Sequence, residues 1–238
     1  MFPGARPAVE RKGREGRKEI LVFTLRPLRP LRSIVTCSSE RSMSKTRLEA
    51  FSDGVIAILI TIMVLELKAP DGTDLAALRP LVPTFLAYLL SFIYLGIYWN
   101  NHHHMLQATR HISGGVLWPN LHLLFWLSLV PFTTSWMGEH HQEPVPTAVY
   151  GAVLLCCAVA WSILQHCIVA VEGPHSTLAT AVGKDRKAKG SLAMYVAAIL
   201  LAFVRPWVAE ALYAAVAMMW LVPDRRIESR LGHRANAV

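Results

Sequence analysis

The chain has 238 residues, 53% of them hydrophobic and only 17% charged, and its mean hydropathy is +0.37. A soluble domain carries about 25% charged residues, so an ordinary soluble globular protein is excluded and a membrane protein is indicated. The net charge of +8 is then a question of where along the chain the charges fall, and no nucleic-acid partner is expected.

Residues 1–45 read as a basic cytoplasmic leader. Half of the 24 Lys and Arg lie within residues 1–47, in runs such as Arg11-Lys-Gly-Arg-Glu-Gly-Arg-Lys18 and Arg26-Pro-Leu-Arg-Pro-Leu-Arg32. The apolar run Ile20–Thr24 is too short for a signal-peptide core. Three readings stand: a disordered tail, a segment that binds anionic lipid as clustered Lys and Arg can, or an untranslated stretch, with translation starting at Met43.

A helix needs about 20 apolar residues to cross a bilayer. The first span is expected over Leu48–Leu67, the second over Leu81–Trp99, the third over Val116–Trp136 and the fourth over Thr147–Val171. The last apolar region, Ser191–Val222, is interrupted by Arg205-Pro206, and proline does not continue a helix interior without cost. Inner loops carry the excess of Lys and Arg. Six spans with the N-terminus inside leave only Lys68, Arg79 and Arg205 outside, and 21 of the 24 basic residues inside. Five spans would move the four C-terminal arginines outside, so six are preferred. Trp99, Trp136, Trp207 and Trp220 stand where an interfacial aromatic belt belongs. The expected organisation is an all-α membrane protein: a six-helix domain over 46–223, a basic cytoplasmic tail over 224–238, and both termini cytoplasmic in a multi-pass protein of the cell membrane. The outer loops carry Glu66, Asp71, Asp74, Glu139, Glu143 and Glu210, and acidic mouths concentrate cations.

The first span holds the most informative pattern. Arg47-Leu-Glu-Ala-Phe51-Ser52-Asp53-Gly54 runs directly into Val55-Ile-Ala-Ile-Leu-Ile-Thr61-Ile-Met-Val-Leu65. A carboxylate at membrane depth is expensive and marks a functional site by default. Thr46-Arg-Leu-Glu49 fits a capping box, which puts Ser52 and Asp53 inside the helix; the competing reading makes one of them the N-cap. Phe51, Gly54, Ile58, Thr61 and Leu65 are spaced 3, 4, 3, 4, with Ile62 beside Thr61. Such a seam is the pattern by which copies of one helix meet around an axis, and it is also what a lipid-facing stripe would show. At about 100° per residue Asp53 falls off the seam and faces neighbouring helices.

His102-His-His104 with His111 raises a metal site, but consecutive helical histidines point about 100° apart. A hydrogen-bonding or pH-sensing role with Asp53 and a solvated helix end are the alternatives. His122 and His166 lie within the third and fourth spans, where interhelical hydrogen bonding is the expected role. Cys156, Cys157 and Cys167 lie in an apolar segment and Cys37 in the leader, without zinc spacing. No metal site, cofactor or enzyme activity is expected. Two other classes stay open: a proton-coupled or cation secondary transporter, which paired broken helices would favour, and a histidine-dependent membrane enzyme.

Arg47-x-x-x-Phe51-Ser52-Asp53 at the head of an apolar helix ending Val64-Leu-Glu-Leu67, together with Trp99-Asn-Asn101-His-His-His104, resembles the prokaryotic branch of the transmembrane protein 175 family. These are potassium-permeable channels, and the similarity covers about residues 43–225. The resemblance implies six helices per subunit, a homotetramer with the first helices lining a central pore, and a hydrophobic constriction in place of a carbonyl filter. By position it assigns Ile58 to the constriction, Thr61 to a hydroxyl one turn on, and Ile62 and Leu65 to outer apolar layers. Arg47, Phe51, Ser52, Asp53, Trp99, Asn101 and His103 would form a structural network, with Ser52 and Asp53 bonded to Arg47, Trp99 or the second-helix histidines. The implied function is a weakly selective potassium-permeable cation channel whose partners are potassium and other monovalent cations, membrane lipid and further copies of itself.

Overall fold

Proline punctuates this apolar chain, and several of its helices begin beside one. In a computed structural model, residues 45–70, 72–109, 112, 114–173 and 186–221 are described. The chain divides into units Met1–Arg41 and Ser42–Val238, and all described residues belong to the second. The expectations for the leader up to residue 44, for Asp71, Arg110, His111 and Lys184, and for the tail after residue 221 lie outside the described residues.

Among the described residues every regular element is helical: α1 (Lys45–Leu65), a 3₁₀ turn (Leu75–Leu81), α2 (Val82–Ala108), α3 (Gly114–Ser128), α4 (Val130–Glu139), α5 (Pro144–Glu172), α6 (Arg186–Ala202) and α7 (Pro206–Leu221). Proline stands in the first two positions of α2, α4 and α5, where its missing N–H is not needed. Asp74 caps the 3₁₀ turn by accepting from the Ala77 amide at 3.2 Å. Four stretches are long and apolar enough to cross a membrane, Lys45–Leu65, Leu75–Ala108, Gly114–Glu139 and Pro144–Glu172, and Pro206–Leu221 is a shorter apolar helix. The break expected at Arg205-Pro206 is present, and α6 and α7 are separate short helices.

Two boundaries differ from expectation. The second helix runs on from Trp99 to Ala108, because Asn100–Ala108 contains neither proline nor glycine, and the three histidines are therefore helical. The third stretch is interrupted at Leu129, since Pro131 lacks the N–H that would continue the ladder.

The first two helices run in opposite directions. Lys45 Nζ donates to the carbonyls of Gln107 and Thr109 at 3.2 and 3.1 Å, so the start of α1 meets the end of α2 and a cation sits on that helix's unpaired carbonyls. At the far end Lys68 Nζ donates to Glu139 Oε1 at 2.8 Å. This bond and the carboxylate charge hold Lys68 protonated above its ordinary range. The link is fully present at neutral pH and would be lost as pH rises through that raised value, or as it falls through the value of Glu139, which the bond to Lys68 lowers. It is exposed and contributes little.

Two cores form. One, around Ile56, Met63, Leu95, Leu123, Leu127 and Leu164, joins α1, α2, α3 and α5. The other is built on tyrosines of α2, α5, α6 and α7. In it Tyr94 donates to the Tyr213 carbonyl at 2.6 Å, Tyr213 donates to the Thr147 carbonyl at 3.1 Å, and Tyr150 Oη lies 2.9 Å from Ser91 Oγ. Gly151 makes room for this: a Cβ there would overlap the Tyr213 hydroxyl. Both partners are fully buried, and overpacking a fixed core costs about 1–3 kcal/mol. Gly151→Ala is therefore expected to lower the thermal unfolding midpoint of the detergent-solubilised protein, whereas Gly96→Ala, within α2 and with open space at its Cβ, is not expected to lower it.

Candidate functional site: two faces of the first helix

The first helix starts no later than Lys45, seven residues before Ser52. Ser52 and Asp53 are thus interior residues about 10 Å along the axis, and neither is the cap. The helix separates into two faces. Leu48, Ser52, Ile56, Leu59 and Met63 are buried, at spacings of 4, 4, 3 and 4 that describe one side of a helix. Phe51, Gly54, Ile58, Thr61, Ile62 and Leu65 are all exposed, with Ile58 at 57% and Leu65 at 77%. The seam residues therefore share an open face that no other described part of the protomer covers. Thr61 Oγ donates to the Ile58 carbonyl at 2.9 Å, which commits its proton to the helix and leaves the oxygen's lone pairs as acceptors.

The buried face carries one polar node. Asn120 Nδ2 donates to Ser52 Oγ at 2.9 Å, and Asn120 Oδ1 lies 2.8 Å from His102 Nε2. An amide oxygen only accepts, so His102 donates through Nε2. Ser52, Asn120 and His102 are each completely buried. One amide thus ties α1, α2 and α3 together at a single level. Asp53 Oδ1, His102 Nδ1 and His104 Nδ1 are buried nearby in sequence without hydrogen-bond partners among the described residues.

The other network residues lie apart from this node. His103 Nδ1 is 3.2 Å from Glu49 Oε1, its Nε2 is 2.8 Å from Gln107 Nε2, and its ring stacks on Trp99 at 6.0 Å and 19°. His103 and Trp99 therefore clasp α2 to the first turn of α1 through Glu49. Phe51 and Arg47 are exposed, and Asn101 lines a small cavity with Tyr98, Trp161 and Ser191. The expected partners of Ser52, namely Arg47, Trp99 and a directly bonded second-helix histidine, are replaced by Asn120. The expected network named His103 among the second-helix histidines where His102 joins the node, and it omitted Asn120. Asn120 was the detectable one: an amide in an otherwise apolar span is a polar group that must find a partner. Among the described residues no three His, Cys, Asp or Glu side chains are grouped to hold a metal ion.

The chain is similar to several known proteins. A family model described as "Endosomal/lysosomal potassium channel TMEM175" matches residues 47–131, which span both faces of α1 and the Asn120 node. The chain is 52% identical over 189 residues to "Potassium channel HX13_20290" of Chryseobacterium sp. (strain P1-3), covering 79% of this chain and 98% of that protein. It is 32% identical over 185 residues to the "Endosomal/lysosomal proton channel TMEM175" of Mus musculus, covering 68% of this chain but only 36% of the mouse protein. Among solved structures it is similar to a lysosomal potassium-selective channel TMEM175 homolog from Chamaesiphon minutus, with TM-score 0.66 and 28% identity over 75% of this chain and 96% of that one.

The node gives a direct test. Interhelical hydrogen bonds in membranes contribute about 0.6–2 kcal/mol each, and an orphaned buried partner costs about 1–3 kcal/mol. Asn120→Ala, which orphans both Ser52 and His102, is expected to destabilise more than Ser52→Ala. The double variant should be closer to Asn120→Ala than to the sum, as measured by unfolding in mixed micelles.

Proposed function

The chain belongs to the TMEM175 family, and on that premise we propose that it forms a potassium-permeable, weakly selective cation channel, a homotetramer in which four copies of α1 line a central path. The family is one of ion channels and not of enzymes, and this chain is a multi-pass membrane protein. The observation that carries the proposal is the open face of α1. Ile58, Thr61, Ile62 and Leu65 are exposed along a helix whose opposite side is fully committed to its own protomer.

The mechanism follows from size and hydration. A ring of Ile58 side chains makes a narrow apolar constriction that sheds water when closed and gates by dewetting. When wider it passes a cation that has lost part of its shell, and potassium gives up water at lower cost than sodium. Thr61 oxygens, with their protons held by the Ile58 carbonyls, offer acceptors one turn beyond the constriction. A ring of hydroxyl oxygens is a weaker field than a carbonyl filter, so selectivity is modest. Ser52, Asn120 and His102 lie outside the path and fix the angle at which α1 meets its neighbours. The leader and tail are assigned to the cytoplasm by the excess of Lys and Arg, and the cell membrane is the proposed location. The mouse relative's name favours a second permeant ion, the proton, which a pH gradient separates from potassium.

Recordings from protein reconstituted in planar bilayers test this. Under opposed potassium and sodium, unitary currents that reverse on the potassium side of zero but short of the potassium equilibrium potential are expected. Thr61→Val should move the reversal potential toward zero under opposed potassium and sodium. Ile58→Ala should raise unitary conductance and weaken selectivity. Unaltered conductance and reversal potential in both variants would refute the pore assignment, and flux without unitary currents would point to a carrier.

A further inference from the structure

The open face of α1 is wider than one seam. Beside the bulky residues runs an edge of small ones, Ala50, Gly54, Ala57, Thr61 and Val64, all exposed and spaced 4, 3, 4, 3. A second exposed stripe runs along α3–α4: Trp118 (77%), His122, Phe125 (55%) and Phe132 (62%), with the half-buried Leu129 completing the same spacing of 4, 3, 4, 3. Each residue of the second stripe lies 68 positions after one of the first. That is also the separation of Ser52 and Asn120, which touch within the protomer, and Lys68 and Glu139 touch at a separation of 71. Within one chain α1 and α3–α4 therefore run parallel, with residues 68 apart at the same membrane level. Rotation about an axis normal to the membrane preserves level. In a ring of copies, each small residue of one α1 lies at the height of a larger side chain on the next copy's α3–α4.

The two stripes lie on opposite flanks of the protomer. A groove between α1 and α4 is lined by Leu59, Ile62, Pro131 and Phe132, so α4 stands on the Ile62 side of α1. Ala57 and Val64 lie about 140–160° around the helix from Ile62 at 3.6 residues per turn. One flank thus presents bulky side chains and the other presents notches, as a head-to-tail contact that closes into a ring requires. Small residues let helices approach closely in lipid.

Polarity says which exposed stripe protein covers. His122 is exposed about 12 Å along α3, with Trp126 Nε1 donating to its Nε2 at 2.9 Å, which leaves Nδ1–H to be satisfied. An ionisable group facing hydrocarbon is costly. The exposed stripe of α2, with Phe85, Leu86, Leu89 and Phe92, carries no such group and suits lipid. His166 is also exposed, but it lies six residues before the end of α5 and its Nδ1 is 2.6 Å from the Ser162 carbonyl.

We infer that the subunit interface is formed by the small-residue edge of α1 from one copy seated on the Trp118–Phe132 stripe of the next, with Gly54 opposite His122 and Ala57 opposite Phe125. This rests on the proposed oligomer and adds which surfaces meet. Two differently tagged chains, one carrying Ala57→Cys and the other Phe125→Cys, are co-expressed, treated in membranes with a short bis-maleimide, and compared with an Ala57→Cys and Phe92→Cys pair. A band at the summed mass for the first pair alone, absent from either chain by itself, is expected. Ala57→Trp, which fills the notch on a face exposed in the protomer, is expected to abolish the tetramer in native mass spectra while helix content is retained. Tetramers without the Ala57–Phe125 band, an equal band with Phe92, or an Ala57→Trp protein that stays tetrameric would overturn the interface and leave the channel proposal standing. Unsubstituted protein that is monomeric in native mass spectra would overturn both.

Discussion

One side-chain amide constrains the architecture around the first helix. Asn120 is buried at the meeting point of α1, α2 and α3, and it bonds Ser52 with its nitrogen and His102 with its oxygen. In an apolar environment no water compensates a lost partner, so these three groups are satisfied only at one mutual rotation and one level. A slip of a single residue would turn Ser52 about 100° away and leave the amide orphaned. Apolar packing alone sets no such register, because Ile56, Leu59 and Met63 would bury comparable area in several rotations.

Fixing that rotation decides which residues α1 leaves open. With Ser52 inward, Ile58, Thr61, Ile62 and Leu65 necessarily look away from the protomer. The polar motif at the head of the helix and the plain apolar residues after it are thus two halves of one geometric statement. The former positions and the latter are proposed to handle ions. The second clasp, from Glu49 to His103 stacked on Trp99, acts on the first turn and restrains tilt at the end where Lys45 caps α2. A channel whose proposed constriction is a ring of isoleucines depends on such restraints, since a small rotation of α1 changes the width of an apolar ring and hence its wetting.

Much of the fold was legible in the sequence. Hydropathy and proline placement located the helices, and the division of α6 from α7 followed from Arg205-Pro206. The extent of α2 was not legible from hydropathy, since Asn100–Ala108 is polar and its helicity reflects the absence of breakers and the cap from Lys45. The open face of α1 could be read from the spacing of Phe51, Gly54, Ile58, Thr61 and Leu65. The partner of Ser52 could not, because it lies 68 residues away and local periodicity says nothing about which helix comes alongside. His102, His103 and His104 illustrate the same limit. They are adjacent in sequence, yet His102 bonds Asn120 of α3, His103 meets Glu49, and His104 Nδ1 is buried without a hydrogen bond among the described residues. Only the packing of α1 and α3 distinguishes them.

The exposed face of α1, and not its buried face, is proposed to border the ion path. The most direct measurement is the rate at which a small cationic thiol reagent, added to an open channel in a planar bilayer, blocks potassium current through Leu65→Cys and Met63→Cys proteins. These positions are two residues apart and differ in exposure, 77% against 2%. Rapid block at Leu65→Cys and none at Met63→Cys over the same period is expected. Equal rates at the two positions, or block at Met63→Cys alone, would contradict it.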